Sequence, residues 1–182
     1  WPGHVLQKQF ALEQAAGPWV LSLDADEELS AEARGEIRTA LLEGGTPADG
    51  FVFPRQSYYL GRWIRHGGWY PDKKLRLVRK DRARWTGRDP HDKLQVRGTT
   101  ARLQGRILHY VYKDISHQLK TVDSFSSISA RNWQQDGKSF SLPMLLFRPP
   151  IRFLETYVWK RVFLDGLPGF IIAVISSYYV FC

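Results

Sequence analysis

Residues 19–28 read WVLSLDADEE, a compact apolar run that passes directly into a cluster of acids. The apolar part, 19–23, is typical of a strand buried between helices. A helical pattern precedes it over 4–16, and Ser30 is placed to cap a helix over 31–43. Helix, strand, acidic loop and helix in this order form half of an α/β unit, in which ligands usually lie at the carboxyl ends of the strands.

The rest of the chain continues the α/β pattern. Short apolar or alternating runs predict strands over 51–54, 75–79 and 107–112, and helical spacing predicts a long helix over about 115–135. Between the first two strands, 58–72 is rich in glycine and aromatic residues and is expected to be a loop. Loops of this length usually carry function.

The 182 residues suit one domain with an appendage, and the single cysteine, Cys182, excludes an internal disulfide or a cysteine-based zinc site. The net charge of +8 is unevenly spread: residues 1–50 hold nine acids and three bases, and 51–182 hold nine acids and 23 bases. The basic excess in residues 51–182 suits a phosphate-bearing partner, such as a nucleotide, a nucleic acid or the anionic face of a membrane.

The C-terminal stretch has a different composition. Residues 151–164 mix basic and aromatic side chains, as in a helix lying in a membrane interface. Residues 166–182 are 17 residues without a charge, at the lower limit for crossing a bilayer. We expect this stretch to associate with a membrane, with packing in a protein core as the alternative. Whether residues 166–182 cross the bilayer or only dip into it stays open. Since the chain starts at Trp1 and ends in this apolar run, a fragment of a longer protein is expected.

Asp24 and Asp26 are separated by one residue, so on an extended backbone both carboxylates point to the same side. Together they can hold one hard cation, Mg²⁺ or Mn²⁺, with substrate phosphates as further ligands. The alternative is that these acids are merely solvated or belong to the first turn of the next helix. His66, His109 and His117 form no recognisable metal-ligand pattern, and no role is predicted for them.

Several motifs occur together in a specific order and spacing: G-x-x-x-Q-K from Gly3 to Lys8, W-V-L-x-L-D-A-D-E from Trp19 to Glu27, GRWIRHGGWYPD from Gly61 to Asp72, L-R-L from Leu75 to Leu77, and P-H-D-K-L from Pro90 to Leu94. In these motifs the chain resembles bacterial family 2 glycosyltransferases, in particular the lipopolysaccharide-core type often described as β-glucosyltransferases. The resemblance extends across nearly the whole chain.

The resemblance implies a GT-A fold whose first βαβ segment would precede Trp1. Residues 1–114 would be the C-terminal part of this domain and 115–182 a helical, membrane-associating tail. The implied reaction is an inverting hexosyl transfer from a nucleotide-diphospho-sugar, with a UDP-sugar as the expected donor. The acceptor would be a lipid-linked or lipopolysaccharide-core sugar at the cytoplasmic face of the bacterial inner membrane. Asp24 and Asp26 would hold Mg²⁺ or Mn²⁺ together with the donor diphosphate.

An inverting transfer needs a base for the acceptor hydroxyl, and a carboxylate is the usual choice. Asp92 is the candidate base because the family places an acid after a histidine here, and His91 would orient or share the proton. The alternative is that Asp92 only pairs with Lys93 or Arg88 on a surface loop. Asp72 is the reserve candidate for the base and is also placed among the substrate-binding residues, with the capping of a turn after Pro71 as the alternative.

Further residues are expected to bind the substrates. Arg76 and Arg79 would offset the charge of the leaving diphosphate, or they are the solvent side of an alternating strand. Trp69 and Tyr70 would stack on the sugar or the acceptor, or they pin their loop to the core. Lys8, in the Q-K pair of the first motif, is also placed among the substrate-binding residues.

Three other functions remain as alternatives. A nucleic-acid binder is disfavoured because the basic residues are dispersed and the acidic loop would repel phosphates, so no nucleic-acid partner is expected. A noncatalytic membrane-anchored scaffold with a degenerate transferase fold and a metal-dependent phosphoester hydrolase both stay open.

Overall fold

The computed structural model describes residues 3–42, 47–88, 91–137, 139 and 141–182 of the chain. The helices in these residues are α1 (His4–Gln14), α2 (Ala31–Leu42), α3 (Ile115–Gln135), α4 (Leu142–Leu154) and α5 (Gly166–Phe181). The strands are β1 (Trp19–Leu21), β2 (Glu27–Leu29), β3 (Gly50–Tyr59), β4 (Arg62–Trp63), β5 (Asp72–Arg79), β6 (Ala83–Arg88), β7 (His91–Val96), β8 (Thr100–Arg102) and β9 (Ile107–His109).

The main sheet is mixed, with strand order β1-β5-β3-β9-β2 and with β4 and β8 also paired to β3. Strand β5 is antiparallel to both β1 and β3, whereas β8 is parallel to β3. Strands β6 and β7 form a separate antiparallel pair. The predicted α/β class, with a mixed sheet and flanking helices, is therefore confirmed, and the architecture agrees with a GT-A-like fold.

The described chain forms two compact units. The first comprises the residues up to Arg55 together with Asp72–His109, and the second comprises Gln56–Pro71 and Tyr110–Cys182. The predicted division into 1–114 and 115–182 stays a prediction.

The core of the first unit lies between α2 and the sheet. Its fully buried members come from α2 and three strands: Ala33, Phe51, Phe53, Leu77 and Ile107. Helix α2 begins where the sequence predicts, because the Ser30 hydroxyl accepts a hydrogen bond from the Ala33 N–H at 3.1 Å. The last residue of the predicted helix, 43, lies outside the described residues.

The second unit is built on helices and on the predicted glycine-rich loop. Its buried cluster contains Tyr59, Ile64, Val162, Ile172 and Ala173. A side chain on Gly169 would overlap the Val162 carbonyl, so only glycine allows α5 to lie this close to the backbone at Val162.

The structure differs from the expected elements in several places. The strands predicted over 19–23 and 107–112 end at Leu21 and His109, and the expected loop over 58–72 contains the end of β3 and strand β4. Glu27 and Glu28 were expected in a loop but belong to β2, which pairs with β9 in the register Glu27 to His109. The β6–β7 pair was not predicted, because its strands are short, largely polar and partly exposed. This pair places Asp92 on a strand opposite Gly87.

Candidate active site

Asp24 and Asp26 lie in a tight turn between β1 and β2. The Glu27 N–H donates to the Asp24 carbonyl at 3.0 Å, and the Asp24 N–H donates to Glu27 Oε2 at 3.2 Å. Both hydrogen bonds join the first residue of the turn, Asp24, to Glu27 at its end. The Glu27 side chain thus fixes the backbone that carries the two predicted metal-binding aspartates.

Glu27 is the buried centre of the site, with a side-chain exposure of 0%. Its Oε1 accepts hydrogen bonds from Arg55 Nη1 at 2.9 Å and Arg76 Nη2 at 2.7 Å. A buried carboxylate is costly unless it is paired in this way. Glu27 and Arg55 were not predicted from the sequence, because neither the third acid of an acidic run nor an arginine in a strand is a signal for a buried ion pair.

The two arginines extend this network to further predicted residues. Arg76 Nη2 also donates to Asp24 Oδ2 at 2.6 Å, while Arg55 donates through Nε and Nη2 to Asp72 Oδ2 at 3.0 and 2.5 Å. Burial alone would lower the pKa of Arg55, but its bonds to Glu27 and Asp72 raise it, so this guanidinium stays charged. Arg76 Nε is buried without a hydrogen-bond partner within the part of the chain that the structure describes.

Lys8, on α1, joins two of the predicted site residues directly. Its ammonium lies 3.0 Å from Asp24 Oδ1 and 2.9 Å from Asp92 Oδ2. Burial alone would lower the pKa of Lys8, but the bonds to Asp92 and Asp24 raise it. Burial likewise opposes ionisation of Asp24, and the charges of Arg76 and Lys8 overcome this and lower its pKa.

Asp26 has different surroundings from Asp24. Its side chain is 46% exposed, and Oδ2 lies 3.2 Å from Nε2 of His109, at the end of β9. Burial, with the nearby charge of Arg55, lowers the pKa of His109 despite the opposing effect of Asp26 and Glu27. The lowered pKa favours the neutral imidazole, which is the state in which histidine binds metals. No role was predicted for His109 from the sequence, because only the β2–β9 pairing brings it beside the acidic turn.

The other predicted site residues have these positions. Arg79 lies 3.4 Å from Asp81 at the surface. Trp69 and Tyr70 belong to the second unit, where the Trp69 ring packs against Tyr59 and Tyr112. The side chain of His91 lies outside what the structure describes. The roles assigned to all of these residues remain predictions.

The acidic turn offers one half-exposed carboxylate, that of Asp26, to a cation. Within the described ranges, no group of three or more His, Cys, Asp or Glu side chains is arranged to hold a metal ion. Mg²⁺ at phosphate-transfer sites, however, usually takes only one or two carboxylates and fills its other positions with water and substrate phosphates. Asp24 is already paired with two cationic side chains, so the half-exposed Asp26 is the carboxylate best placed to meet such an ion.

Known proteins with similar sequences are glycosyltransferases. The chain is 31% identical over 183 residues to the lipopolysaccharide core biosynthesis glycosyltransferase LpsC of Rhizobium meliloti, an alignment that covers 100% of this chain and 67% of LpsC. It is 28% identical over 198 residues to uncharacterized glycosyltransferases of Rickettsia typhi and Rickettsia prowazekii, covering 98% of this chain and 64% of each relative. No family model matches the chain.

The chain therefore belongs to the family of bacterial glycosyltransferases that contains LpsC, and the resemblance predicted from its motifs is confirmed at this level. It spans about two thirds of the length of the curated relatives that it matches.

Proposed function

We propose that this protein is an inverting family 2 glycosyltransferase. It moves a hexose from a nucleotide-diphospho-sugar, a UDP-sugar, to a lipid-linked or lipopolysaccharide-core acceptor at the cytoplasmic face of the bacterial inner membrane. The observation that carries the proposal is the similarity over the whole chain to LpsC, a lipopolysaccharide core biosynthesis glycosyltransferase. The ion pairs of Lys8 with Asp24 and Asp92, and of Arg76 with Asp24, support it.

Donor binding is assigned to the acidic turn and its neighbours. Asp26, with His109 beside it, and Asp24 would hold Mg²⁺ or Mn²⁺. When bound, such an ion offsets the negative charge that develops on the departing diphosphate. Arg76 and Lys8 bring fixed positive charge to the same turn, since both lie within 3.0 Å of Asp24.

Asp92 is assigned as the general base. The acceptor hydroxyl attacks the anomeric carbon from the face opposite the nucleoside diphosphate, its proton passes to the Asp92 carboxylate, and the bond to the diphosphate oxygen breaks as the new glycosidic bond forms. Lys8 supports this assignment because one ammonium contacts both Asp24 and Asp92, so the proposed base lies close to the proposed donor site.

The proposal is tested by a transfer assay. The protein, expressed with any in-frame coding sequence upstream of Trp1, is incubated with UDP-sugars, Mn²⁺ and a lipopolysaccharide-core oligosaccharide. We expect release of UDP that depends on the acceptor, together with an acceptor that has gained one hexose of inverted configuration. Release of free sugar at the same rate with and without acceptor would instead indicate a hydrolase.

A further inference from the structure

Two helices of the second unit carry rows of exposed apolar side chains. On α5 the row has the spacing of one helix face: Leu167, Phe170, Val174, Tyr178 and Phe181. A second row runs along α4 and the turn after it, again at helical spacing: Phe147, Ile151, Leu154 and Val158. Soluble proteins rarely expose apolar side chains in continuous rows, so these rows indicate a surface that contacts an apolar partner.

The opposite face of α5 is part of the protein core. Ile172 and Ala173 are fully buried and pack in one cluster with Tyr59 and Ile64. A hydrogen bond also joins α5 to α4: the Ser177 hydroxyl donates to the Pro149 carbonyl at 2.7 Å. Helix α5 is therefore a structural member of the folded unit rather than a free tail.

The N-terminal end of α5 is fixed as well. Asp165, directly before the helix, is buried, and its Oδ2 accepts hydrogen bonds from the Arg65 and His66 N–H groups at 3.2 and 2.8 Å. The same oxygen lies 3.2 Å from His66 Nδ1. These bonds satisfy the buried carboxylate only while α5 remains docked on the glycine-rich loop.

Length alone would allow this segment to cross a membrane. Val162–Phe181, 20 residues, is the one helical stretch in the described part of the chain that is long and apolar enough, and 33% of its most apolar window is buried inside the protein. A crossing would strip Ile172 and Ala173 from Tyr59 and carry Asp165 toward hydrocarbon without its partners, and both changes cost free energy. An orientation in the plane of the membrane avoids both costs.

The charges beside the rows favour an anionic surface. Lys160 and Arg161 are exposed and directly follow Trp159, whose exposure is 86%. Arg148 is exposed on α4, where its guanidinium lies 5.7 Å from the centre of the Trp133 ring. Glu155 is paired with both Arg152 and Lys160, at 3.1 and 2.7 Å. Exposed tryptophan beside lysine and arginine is typical of helices that lie at the headgroup level of anionic membranes.

We propose that α4 and α5 lie together in the plane of an anionic lipid surface, with their exposed rows in the interface and without crossing the bilayer. The inference rests on the membrane location in the proposed function and specifies its mode. A second copy of the chain is the less suitable occupant, because a self-complementary contact through these rows would bring the arginines and lysines of two copies together.

Vesicle flotation tests the surface. The purified chain is mixed with phosphatidylcholine vesicles, with or without phosphatidylglycerol. We expect binding that requires phosphatidylglycerol and weakens with salt. Leu154→Ser should lower the partition constant about tenfold, since one buried leucine contributes roughly 1.5 kcal/mol or more. The matched control is Leu6→Ser on α1: Leu6 is 60% exposed and Leu154 57%, so the control should bind as the parent does.

Cys182 tests the orientation, because this single cysteine is exposed and directly follows α5. Protein bound to preformed vesicles is treated with a membrane-impermeant maleimide. An in-plane helix leaves the thiol equally reactive in intact and detergent-opened vesicles. Protection of the thiol until detergent is added would show that α5 crosses and would overturn the inference.

Two other results would also overturn it. One is an absence of binding to either kind of vesicle, and the other is a dimer in sedimentation that Leu154→Ser dissociates. Neither result bears on the transfer reaction, which is measured separately with a soluble oligosaccharide acceptor and no vesicles. Failure of the docking surface and failure of the proposed function are therefore distinguishable.

Discussion

Asp24 and Asp92 contact the same ammonium group, that of Lys8, at 3.0 and 2.9 Å. One carboxylate follows β1 and the other lies on β7, so helix α1 links the end of the main sheet to the β6–β7 pair. The residue proposed for donor binding and the residue proposed as base are thus held by one side chain.

Lys8→Met should reduce kcat/KM for transfer by about 10- to 100-fold, because loss of the shared ammonium lets Asp24 and Asp92 move apart and small misplacements are costly in catalysis. Initial rates at varied donor concentration measure the effect. The matched control is Lys93→Met. Lys93 is exposed and follows Asp92 on β7, and this variant should retain the parent rate. Equal losses in both variants would contradict the linking role of Lys8.

Asp92→Asn should lower kcat by at least about 100-fold while the KM for the donor changes little, since the amide keeps the shape of the carboxylate but cannot take up the acceptor proton. Asp72→Asn is measured in parallel, because Asp72 is the reserve candidate and pairs with Arg55. If Asp72→Asn abolishes turnover and Asp92→Asn leaves it within a few fold of the parent, the base is Asp72.

Asp26→Asn should abolish the dependence of the transfer rate on Mn²⁺ and reduce the rate about 100-fold or more, because the half-exposed carboxylate is the proposed metal contact. Titration of the rate with Mn²⁺ measures both effects, and thermal unfolding should change little. The control is Asp81→Asn, which removes an exposed carboxylate paired with Arg79. An unchanged Mn²⁺ titration in Asp26→Asn would exclude Asp26 as a ligand.

Glu27→Gln should lower the free energy of unfolding by about 3 kcal/mol, because it leaves the buried guanidinium of Arg76 and that of Arg55 without their shared carboxylate. Urea denaturation measures the loss. The neighbouring Glu28→Gln changes an exposed residue of the same strand and should alter stability by less than about 0.5 kcal/mol. Similar values for the two variants would show that the pairing of Glu27 contributes little.

Gly169→Ala should destabilise the protein by about 2 kcal/mol, because the added methyl group would overlap the Val162 carbonyl. Gly35→Ala is the matched control in a helix, since nothing lies within 4 Å of a methyl group at that position. Higher helix propensity should make this control more stable by roughly 0.5–1 kcal/mol. Thermal unfolding of both variants checks the opposite signs.

The sequence predicted those parts of the structure that depend on local signals. The helix cap at Ser30, the strand before Asp24 and the long helix α3 follow from capping residues and hydrophobic spacing within a few positions. The predicted acidic turn is also a local feature.

The contacts around Glu27 could not be predicted in the same way. Glu27, Arg55 and Arg76 come from three strands, and their pairing depends on a register that short strands do not specify by themselves. His109 was overlooked for the same reason, since only the β2–β9 ladder brings it to Asp26. Local patterns thus point to the candidate site, and long-range strand pairing supplies the partners of its side chains.

Helix α5 packs in the core with one face and exposes an apolar row on the other, and this affects how the protein can be shortened. An apolar C-terminal segment is a natural target for deletion when a soluble protein is wanted. Ending the chain before Gly166 would here remove Ile172 and Ala173 from beside Tyr59 and Ile64. It would also remove the helix that follows Asp165, the buried carboxylate that binds the Arg65 and His66 amides. Such a truncated chain should aggregate through its opened core, so replacing exposed residues such as Leu167 is the better route to solubility.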